Sequence, residues 1–243
     1  MKVIVTENYE EMSRAAADVM AEVIASKPDC VLGLATGSTP IGMYDRLVEK
    51  YEAGQLDFSG VCSVNLDEYY PISPDNDQSY RYFMNENLFD RVNIDKARTI
   101  VPDGTTEDPD AFCRAYEQSI DRLGGVDIQV LGIGQNGHIG FNEPDAELEP
   151  FTHLTALTES TIKANSRFFA NEADVPKHAL TMGIQSVFKA RRILLLASGE
   201  NKADAVCAML GGKITTQCPA SLLCLHADVT LICDRAAYSK VEK

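Results

Sequence analysis

The sequence contains no tryptophan, only four histidines, and far fewer basic than acidic residues. The seven cysteines form no Cys-x-x-Cys pair and the histidines show no His-x-x-x-His spacing, so we expect no metal site. The cysteines are typical of reduced residues that pack in apolar surroundings, Cys224 among them. The net charge of −14 at pH 7 disfavours nucleic acid and anionic membranes as partners.

Long hydrophobic runs are also lacking. Apolar stretches such as 193–197 are much shorter than the roughly 20 residues that a membrane-spanning helix needs. The first strand-like segment meets Glu7 too soon to be the apolar part of a secretory signal. We therefore expect neither a membrane span nor a secretory signal.

What the sequence does contain is a regular alternation of short apolar segments and amphipathic helical patterns. The length of 243 residues suits one α/β domain over residues 1–243. Alternating strands and helices predict a doubly wound, mostly parallel sheet flanked by helices, of the Rossmann-like kind. The predicted strands lie at 2–6, 30–35, 61–66, 99–101, 126–131, 179–183, 192–197, 221–226 and 229–233.

A polar, glycine-rich segment at 131–144 directly follows the predicted strand at 126–131. Its only histidine is His138, and an imidazole is the side chain best suited to exchange protons at neutral pH. Glu143 could orient this imidazole, and Asn136 adds an uncharged hydrogen-bond partner for it. This combination is typical of acid–base catalysis. The alternative is a glycine-rich loop whose histidine only satisfies backbone carbonyls.

The same segment also satisfies the dinucleotide-binding pattern G-x-G-x-x-G at 132–137. That pattern needs a helix opening at its third glycine, and Gly140 and Pro144 would interrupt such a helix. We therefore favour catalysis over nucleotide binding.

A second polar turn, Thr36, Gly37, Ser38 and Thr39, follows the strand predicted just before it. We expect Thr39 to be the N-cap of a helix whose first residue is Pro40. Unpaired backbone N–H groups and hydroxyls at such a turn suit a phosphate. An ordinary capped helix start explains the pattern equally well.

Asp67 and Glu68 follow the predicted strand at 61–66 and are candidates for a general base. We expect Asp67 to be the more enclosed of the two and Glu68 to face solvent; an aspartate that only caps the next turn is an equal alternative. Arg167 is a candidate to bind phosphate with its guanidinium, although a surface arginine is the simpler interpretation. Lys202, in a glycine turn after a strand, could reach the same anion.

Taken together, these segments resemble the glucosamine-6-phosphate deaminase family over nearly the whole length of the chain. The matching motifs are Leu-Ala-Thr-Gly-Ser-Thr-Pro at 34–40, Asn-Leu-Asp-Glu-Tyr at 65–69, Gly-Ile-Gly-Gln-Asn-Gly-His-Ile-Gly-Phe-Asn-Glu-Pro at 132–144, Ala-Asn-Ser-Arg-Phe-Phe at 164–169 and Ser-Gly-Glu-Asn-Lys at 198–202. The resemblance implies a cytoplasmic, cofactor-free enzyme that converts glucosamine 6-phosphate and water into fructose 6-phosphate and ammonia.

The resemblance also implies roles for individual residues. His138, with Glu143 and Asn136, would open the sugar ring, and Asp67 would move the C2 proton towards C1. Some relatives carry aspartate where this chain has Asn136, which can donate a hydrogen bond but supplies no negative charge. The substrate phosphate would be held by the turn at 36–39, Arg167 and Lys202.

Two other functions fit parts of the pattern. A 6-phosphogluconolactonase has a similar fold and phosphate loop, and a non-catalytic sugar-phosphate sensor can reuse the fold. The combination of residues at 67–69 and 137–143 favours the deaminase. A sensor normally carries a DNA-binding module, for which the chain has neither spare length nor a basic patch.

Regulation is the last expectation. Longer, hexameric relatives are activated at a second phosphate site, built from the segment after the Asn-Glu-Pro motif and from a C-terminal extension. In this chain that segment, 145–156, contains three acidic residues and no arginine or lysine. We therefore expect hyperbolic kinetics, no effector site, and a monomer or small homo-oligomer.

Overall fold

The computed structural model describes residues 1–166, 169, 171 and 174–241. Its strands in chain order are β1 (Lys2–Thr6), β2 (Val31–Leu34), β3 (Cys62–Asn65), β4 (Asp67–Tyr70), β5 (Thr99–Ile100), β6 (Ile128–Gly132), β7 (His153–Ala156), β8 (His178–Thr181), β9 (Arg192–Ala197) and β10 (Val229–Asp234). Its α-helices are α1 (Tyr9–Ser26), α2 (Ile41–Glu52), α3 (Tyr80–Asn87), α4 (Pro109–Arg122), α5 (Glu159–Asn165), α6 (Ile184–Phe188), α7 (Ala203–Leu210) and α8 (Arg235–Tyr238).

Seven strands form one parallel sheet in the order β1-β10-β9-β6-β2-β3-β5. Helices cover this sheet, and its inner strand β2 is buried at every position, as a strand covered on both faces should be. The predicted parallel, helix-flanked α/β architecture is confirmed.

The order of the strands reverses between β2 and β6. From β2 the chain continues to its neighbour β3 on one side, and from β6 it reaches its neighbour β9 on the other side. Crevices form outside the carboxyl ends of two such strands, because the loops that follow them leave in opposite directions. The loops that begin at Ala35 and Ile133 lie at this point.

A buried carboxylate holds the opposite, amino end of the same two strands together. Asp127 accepts hydrogen bonds from the Val31 backbone N–H at 2.8 Å, from Lys27 at 2.9 Å and from Arg191 at 2.8 Å. Burial works against ionisation of this group, but the hydrogen bonds and the two cations outweigh it and lower the pKa of Asp127. The register of β2 against β6 is therefore fixed by Asp127 at their amino ends as well as by the backbone pairing of the two strands.

A second, three-stranded antiparallel sheet, in the order β4-β8-β7, was not predicted. The expectation that a helix separates each pair of strands is wrong between β3 and β4, because only Leu66 lies between them. The Leu66 carbonyl accepts a hydrogen bond of 2.8 Å from Met182 N–H, just beyond β8. Asp67 is therefore the first residue of a strand in a new sheet, not a loop residue.

The strand predicted at 221–226 is also wrong, since Pro219–Leu225 is a 3₁₀-helix. A short apolar run does not distinguish strand from helix. Here Pro219 suits a first helical turn because it has no N–H to leave unpaired. The Ser221 hydroxyl bonds the Thr215 backbone at 2.9 and 3.0 Å, which fixes the turn, and Cys224 is exposed, not packed as expected.

All seven cysteines carry free thiols. Among the described residues, no helix combines the length and the apolar character that a membrane crossing demands.

Candidate active site

A cleft of about 840 Å³ opens at the carboxyl edge of the parallel sheet, where the strand order reverses. The loops after β2, β6 and β9 and the start of β4 form its walls. Its lining includes eight of the residues that the sequence singled out, namely Thr36, Gly37, Ser38, Thr39, Asp67, Asn136, His138 and Lys202.

The carboxylate of Asp67 lies in the wall of this cleft, and the residue is 7% exposed. Among the described residues, none donates a hydrogen bond to this carboxylate. Burial, followed by the negative charge of Glu68, raises the pKa of Asp67 to about 8. A buried carboxylate without donors, with a pKa near neutrality, is suited to accept a proton from a ligand in the cleft.

Glu68 does not face solvent, and it is more enclosed than Asp67, at 1% exposure. Both expectations about this pair are therefore wrong. The Glu68 carboxylate accepts backbone N–H bonds from Tyr69 at 2.9 Å, Tyr80 at 2.8 Å and Arg81 at 2.9 Å. Tyr80 and Arg81 are the first residues of α3, so Glu68 satisfies N–H groups that a helix start leaves unpaired.

Burial raises the pKa of Glu68 to about 7, and the three N–H bonds oppose that rise. Because only Glu68 has such donors, it ionises before Asp67. Its charge then disfavours ionisation of Asp67 next to it. The two neighbouring carboxyls are thus given different tasks: one caps a helix, and the other faces the cleft.

His138 and Glu143 form a pair in the loop after β6. His138 Nδ1 lies 3.2 Å from Glu143 Oε2, and Asn136 Nδ2 donates to the same oxygen at 2.7 Å. Burial opposes ionisation of Glu143, but hydrogen bonds from His138, Thr161 and Asn136 and attraction to His138 outweigh it and lower the pKa of Glu143 to about 2.

An ionised carboxylate only accepts hydrogen bonds, so Nδ1 of His138 carries a hydrogen. In the neutral ring, Nε2 is then the nitrogen that can take up a proton. Asn136 contacts Glu143 and, through Oδ1, the His138 backbone N–H at 3.2 Å, rather than the imidazole as expected.

Gly134 makes room for the imidazole. A Cβ at this position would lie 2.4 Å from the Cε1, Nδ1 and Nε2 atoms of His138, closer than any side chain permits. The ring therefore lies flat against the backbone of Gly134. The glycines of this loop serve the orientation of a histidine, and turns rather than a helix follow β6.

The turn at 36–39 also lines the cleft. The prediction that Thr39 caps the next helix is wrong, because α2 begins at Ile41, Pro40 occupies the N-cap position and no side chain caps it. Tyr9 supports the turn instead, by donating to the Ser38 carbonyl at 3.1 Å and accepting from Gly42 N–H at 2.8 Å. Gly37 has a φ of 89°, which favours glycine.

Lys202 follows β9 and lines the same cleft as that turn, as the sequence suggested. Its Nζ donates to the Ile133 carbonyl at 2.7 Å, which holds the ammonium at the centre of the sheet edge. Buried Asp234 holds the preceding turn through Ser198 Oγ at 2.5 Å and Gly199 N–H at 3.0 Å. Arg167 lies outside the described residues.

Several residues of the cleft were missed by the sequence reasoning. Tyr80 and Phe141 line one wall with their rings nearly parallel, at an interplanar angle of 4°. The aromatic residues at 79–89 are a signal in the sequence, but such a pattern is equally typical of a helix face that packs into the core. Ser198, Asn201 and Thr161 also line the cleft, and no sequence pattern separates them from ordinary polar helix-start residues.

Among the described residues, no group of three or more histidine, cysteine or acidic side chains is placed to hold a metal ion. The chemistry that the cleft offers is proton transfer, from one unpaired carboxyl and one carboxylate-bound imidazole. The fold is a doubly wound α/β sheet, and Asp67 and His138 lie in a cleft where its strand order reverses. These features define an acid–base enzyme for a small ligand.

The chain belongs to the family described as glucosamine-6-phosphate isomerases/6-phosphogluconolactonase, whose sequence model matches residues 6–232. A glucosamine-6-phosphate deaminase of Clostridium perfringens (strain 13) is 57% identical over 237 residues, which cover 98% of this chain and 98% of that relative. One from Thermoanaerobacter pseudethanolicus is 54% identical over 99% of this chain and 95% of its own length.

Solved structures agree with this placement. The structure of a monomeric glucosamine-6-phosphate deaminase superposes with a TM-score of 0.96 at 48% identity, covering 99% of this chain and 100% of that one. A 6-phosphogluconolactonase from Leishmania guyanensis shares the fold, with a TM-score of 0.78 at 24% identity over 100% of this chain and 99% of its own.

The contact between Gly134 and His138 gives a prediction. In Gly134→Ala the imidazole must move away from the new methyl group and lose its place at Glu143. A displacement of about 1 Å can cost roughly 10²-fold in turnover. Histidine ¹⁵N NMR should show a fixed Nδ1–H tautomer of His138 in the wild type and a mixture in the variant.

Gly132→Ala is the matched control, because nothing lies within 4 Å of a Cβ built at Gly132. It should perturb the His138 resonances much less. A Gly134→Ala protein with unchanged His138 resonances and wild-type turnover would contradict the proposed packing.

Proposed function

We propose that the enzyme converts glucosamine 6-phosphate and water into fructose 6-phosphate and ammonia. The observation that carries the proposal is the convergence, in one cleft, of Asp67, the His138–Glu143 pair and Lys202. Relatives named for this activity at 54–57% identity over nearly the full length support it.

The reaction begins with opening of the sugar ring, which needs a proton to leave the hydroxyl on C1 and another to reach the ring oxygen. A group that first accepts and then donates a proton is required, and His138 with a free Nε2 is that group. Glu143 remains ionised next to His138 and stabilises the positive charge that the imidazole acquires when Nε2 is protonated.

The open-chain substrate must next lose its C2 proton and gain one at C1. Asp67 accepts the C2 proton, an enol-amine forms between C1 and C2, and the same carboxyl returns a proton to C1. In the same isomerisation the C1 carbonyl oxygen gains a proton to become a hydroxyl, and the ammonium on C2 loses one, so the charge of the substrate is unchanged. The resulting imine at C2 takes up water and releases ammonia. No cofactor is needed, because nitrogen leaves by imine hydrolysis and no net oxidation takes place.

The phosphate is held away from these carbons by Lys202, the turn at 36–39 and, from the family motif, Arg167. Lys202 lines the cleft, and its ammonium, which donates to the Ile133 carbonyl, is a cation that can attract the phosphate. Binding energy at the phosphate then orients C1 and C2 between His138 and Asp67.

The same proposal extends to the molecule as a whole. One catalytic domain spans residues 1–243, works in the cytoplasm, and is a monomer or small homo-oligomer that responds to no effector. A structural relative described as monomeric supports the expected oligomeric state. In the segment 145–156, Thr152 donates to Glu117. The nearby Lys189 is paired with Glu117 and Asp121, so acidic groups surround this cation.

The first prediction from the proposed reaction concerns Asp67 as the general base. Asp67→Asn keeps the size of the side chain but cannot accept the proton, so ammonia release should fall by about 10²- to 10⁴-fold. Exchange of the substrate C2 hydrogen with deuterated solvent should fall with it, whereas substrate binding persists. Asp75→Asn, at an exposed carboxylate, is the control. Deamination by Asp67→Asn within tenfold of wild type would rule out Asp67 as the base.

Lactone hydrolysis is the rival activity, and the same variant separates it. Hydrolysis of 6-phosphogluconolactone requires no proton transfer at C2. An enzyme that hydrolyses this lactone equally well with and without Asp67, and releases no ammonia from glucosamine 6-phosphate, would be a lactonase.

The pKa of Asp67 gives a second prediction, on pH dependence. The base must be ionised to act, and burial, followed by the Glu68 charge, raises the pKa of Asp67 from its ordinary value of 3.8 to about 8. The value of kcat/KM should therefore rise with pH through that region and be small well below it. Glu68→Gln removes the neighbouring charge, lowers the pKa of Asp67 and should move the rise to lower pH. A wild-type profile that is flat between pH 5 and 8 contradicts this account.

A third prediction concerns the phosphate. Glucosamine without phosphate should be a very poor substrate, and Lys202→Ala should chiefly raise KM, since loss of one charge-assisted contact costs on the order of 1.5 to 3 kcal/mol. Lys213→Ala, at an exposed lysine, controls for the change in net charge. Similar kcat/KM values for glucosamine with and without phosphate would remove the phosphate site from the proposal.

A further inference from the structure

The two oxygens of the Glu143 carboxylate have separate partners. Oε2 is shared by His138 and Asn136, which both belong to the loop after β6. Oε1 accepts a short hydrogen bond of 2.6 Å from the hydroxyl of Thr161, in α5. A second hydroxyl, on Thr158, approaches Oε1 only to 3.5 Å. Thr161, which belongs to a separate helix, thus provides the close contact to Oε1.

The Thr161 hydroxyl is itself oriented. Thr158 is the N-cap of α5, and its hydroxyl accepts from Thr161 N–H at 3.3 Å. The Thr158 hydroxyl also lies 3.0 Å from Thr161 Oγ1, to which it can donate. A hydroxyl has a single hydrogen, so when Thr161 accepts from Thr158 its own hydrogen points at Glu143. The helix start therefore presents a directed donor to the carboxylate.

The orientation of the Glu143 carboxylate plane determines the geometry of its hydrogen bond with His138 Nδ1. The contact between His138 Nδ1 and Glu143 Oε2, at 3.2 Å, is at the long end of the range for such bonds. A carboxylate rotates about the bond to its side chain unless both oxygens are held. Thr161 holds the oxygen that His138 and Asn136 do not, and the rotation that would break the His138 contact is thereby opposed.

We infer that Thr161 is a positioning residue for the acid–base histidine, acting through Glu143. The inference deepens the proposed function, on which it rests, by assigning α5 a part in the ring-opening step. Thr161 also lines the cleft, so the helix start is held next to the bound sugar. The His138–Glu143 pair is complete only when α5 is in place.

The test compares two substitutions that separate the hydroxyl from the shape of the side chain. Thr161→Val keeps the branched shape and removes the hydroxyl, and Thr161→Ser keeps the hydroxyl. We expect kcat for ammonia release from glucosamine 6-phosphate to fall roughly 10- to 100-fold in Thr161→Val, the range for one hydrogen bond to a charged group. Thr161→Ser should retain most of the wild-type kcat. Thr155→Val, which removes only a long 3.5 Å bond to Ala156, should match wild type.

A second readout distinguishes positioning from loosening of the helix. The open-chain amino alditol phosphate made by reducing the substrate needs no ring opening to bind. Its inhibition constant should change less than about twofold in Thr161→Val if the valine leaves the cleft intact, whereas displacement of α5 would weaken it together with KM.

Each outcome decides the inference. A fall in kcat with an unchanged inhibition constant and rescue by serine supports it. A kcat within twofold of wild type overturns it, as does an equal loss in the valine and serine variants or a loss accompanied by weaker analogue binding. Failure of the wild-type enzyme to release ammonia would refute the proposed function instead, and it is measured in the same assay.

Discussion

The pairing of β2 with β6 is the constraint on which the cleft depends. In this pairing Leu32 lies opposite Ile128 and Gly33 lies opposite Gln129. Asp127 holds the amino ends of the two strands together by accepting a hydrogen bond from Val31 N–H. Because the strand order reverses here, the loops after them diverge and leave a crevice. One loop brings the turn at 36–39 and the other brings His138. The side chains that meet a ligand are therefore placed by backbone hydrogen bonds far from the ligand.

Three carboxyls around this crevice, two of them buried and Glu143 partly buried, differ in the donors that reach them. Glu68 has three backbone N–H groups, Glu143 has donors from three side chains, and Asp67 has none among the described residues. Burial raises the pKa of all carboxyls, so donors decide which ones remain charged. Glu143 remains ionised and can hold an imidazole, whereas Asp67 has a pKa near neutrality and can exchange a proton. Similar groups thus perform different tasks without any metal ion being invoked.

Much of this arrangement could be predicted from the sequence because it follows the chain locally. The strands at 2–6 and 192–197 were found from their short apolar runs. His138 was found because a polar cluster followed a strand. The small antiparallel sheet was missed, since its pairing of Asp67 with Thr181 joins residues distant in sequence. Glu68 was misplaced for the same reason, because two of its donors lie in α3, beyond a polar loop.

The spacing between the two proton-transfer groups is set by how the small sheet docks on the large one. Asp67 belongs to the small sheet, and His138 belongs to a loop of the large sheet. Phe141 N–H bonds the Thr181 hydroxyl at 3.2 Å, and Asn142 Nδ2 bonds the Met182 carbonyl at 2.8 Å. These contacts join the histidine loop to the strand that pairs with Asp67.

Gly140, with a φ of 57°, lies at this junction, and a Cβ there would be 3.0 Å from Thr181 Oγ1 and 3.5 Å from Asp67 Oδ2. A side chain at this point would crowd the Thr181 hydroxyl and the Asp67 carboxylate. In the proposed reaction His138 acts on the C1 hydroxyl and the ring oxygen, and Asp67 acts on C2 and C1, so one bound sugar requires the two groups at a fixed separation. The contacts between the histidine loop and β8 fix that separation, and the proposed reaction centre therefore lies where the two sheets meet.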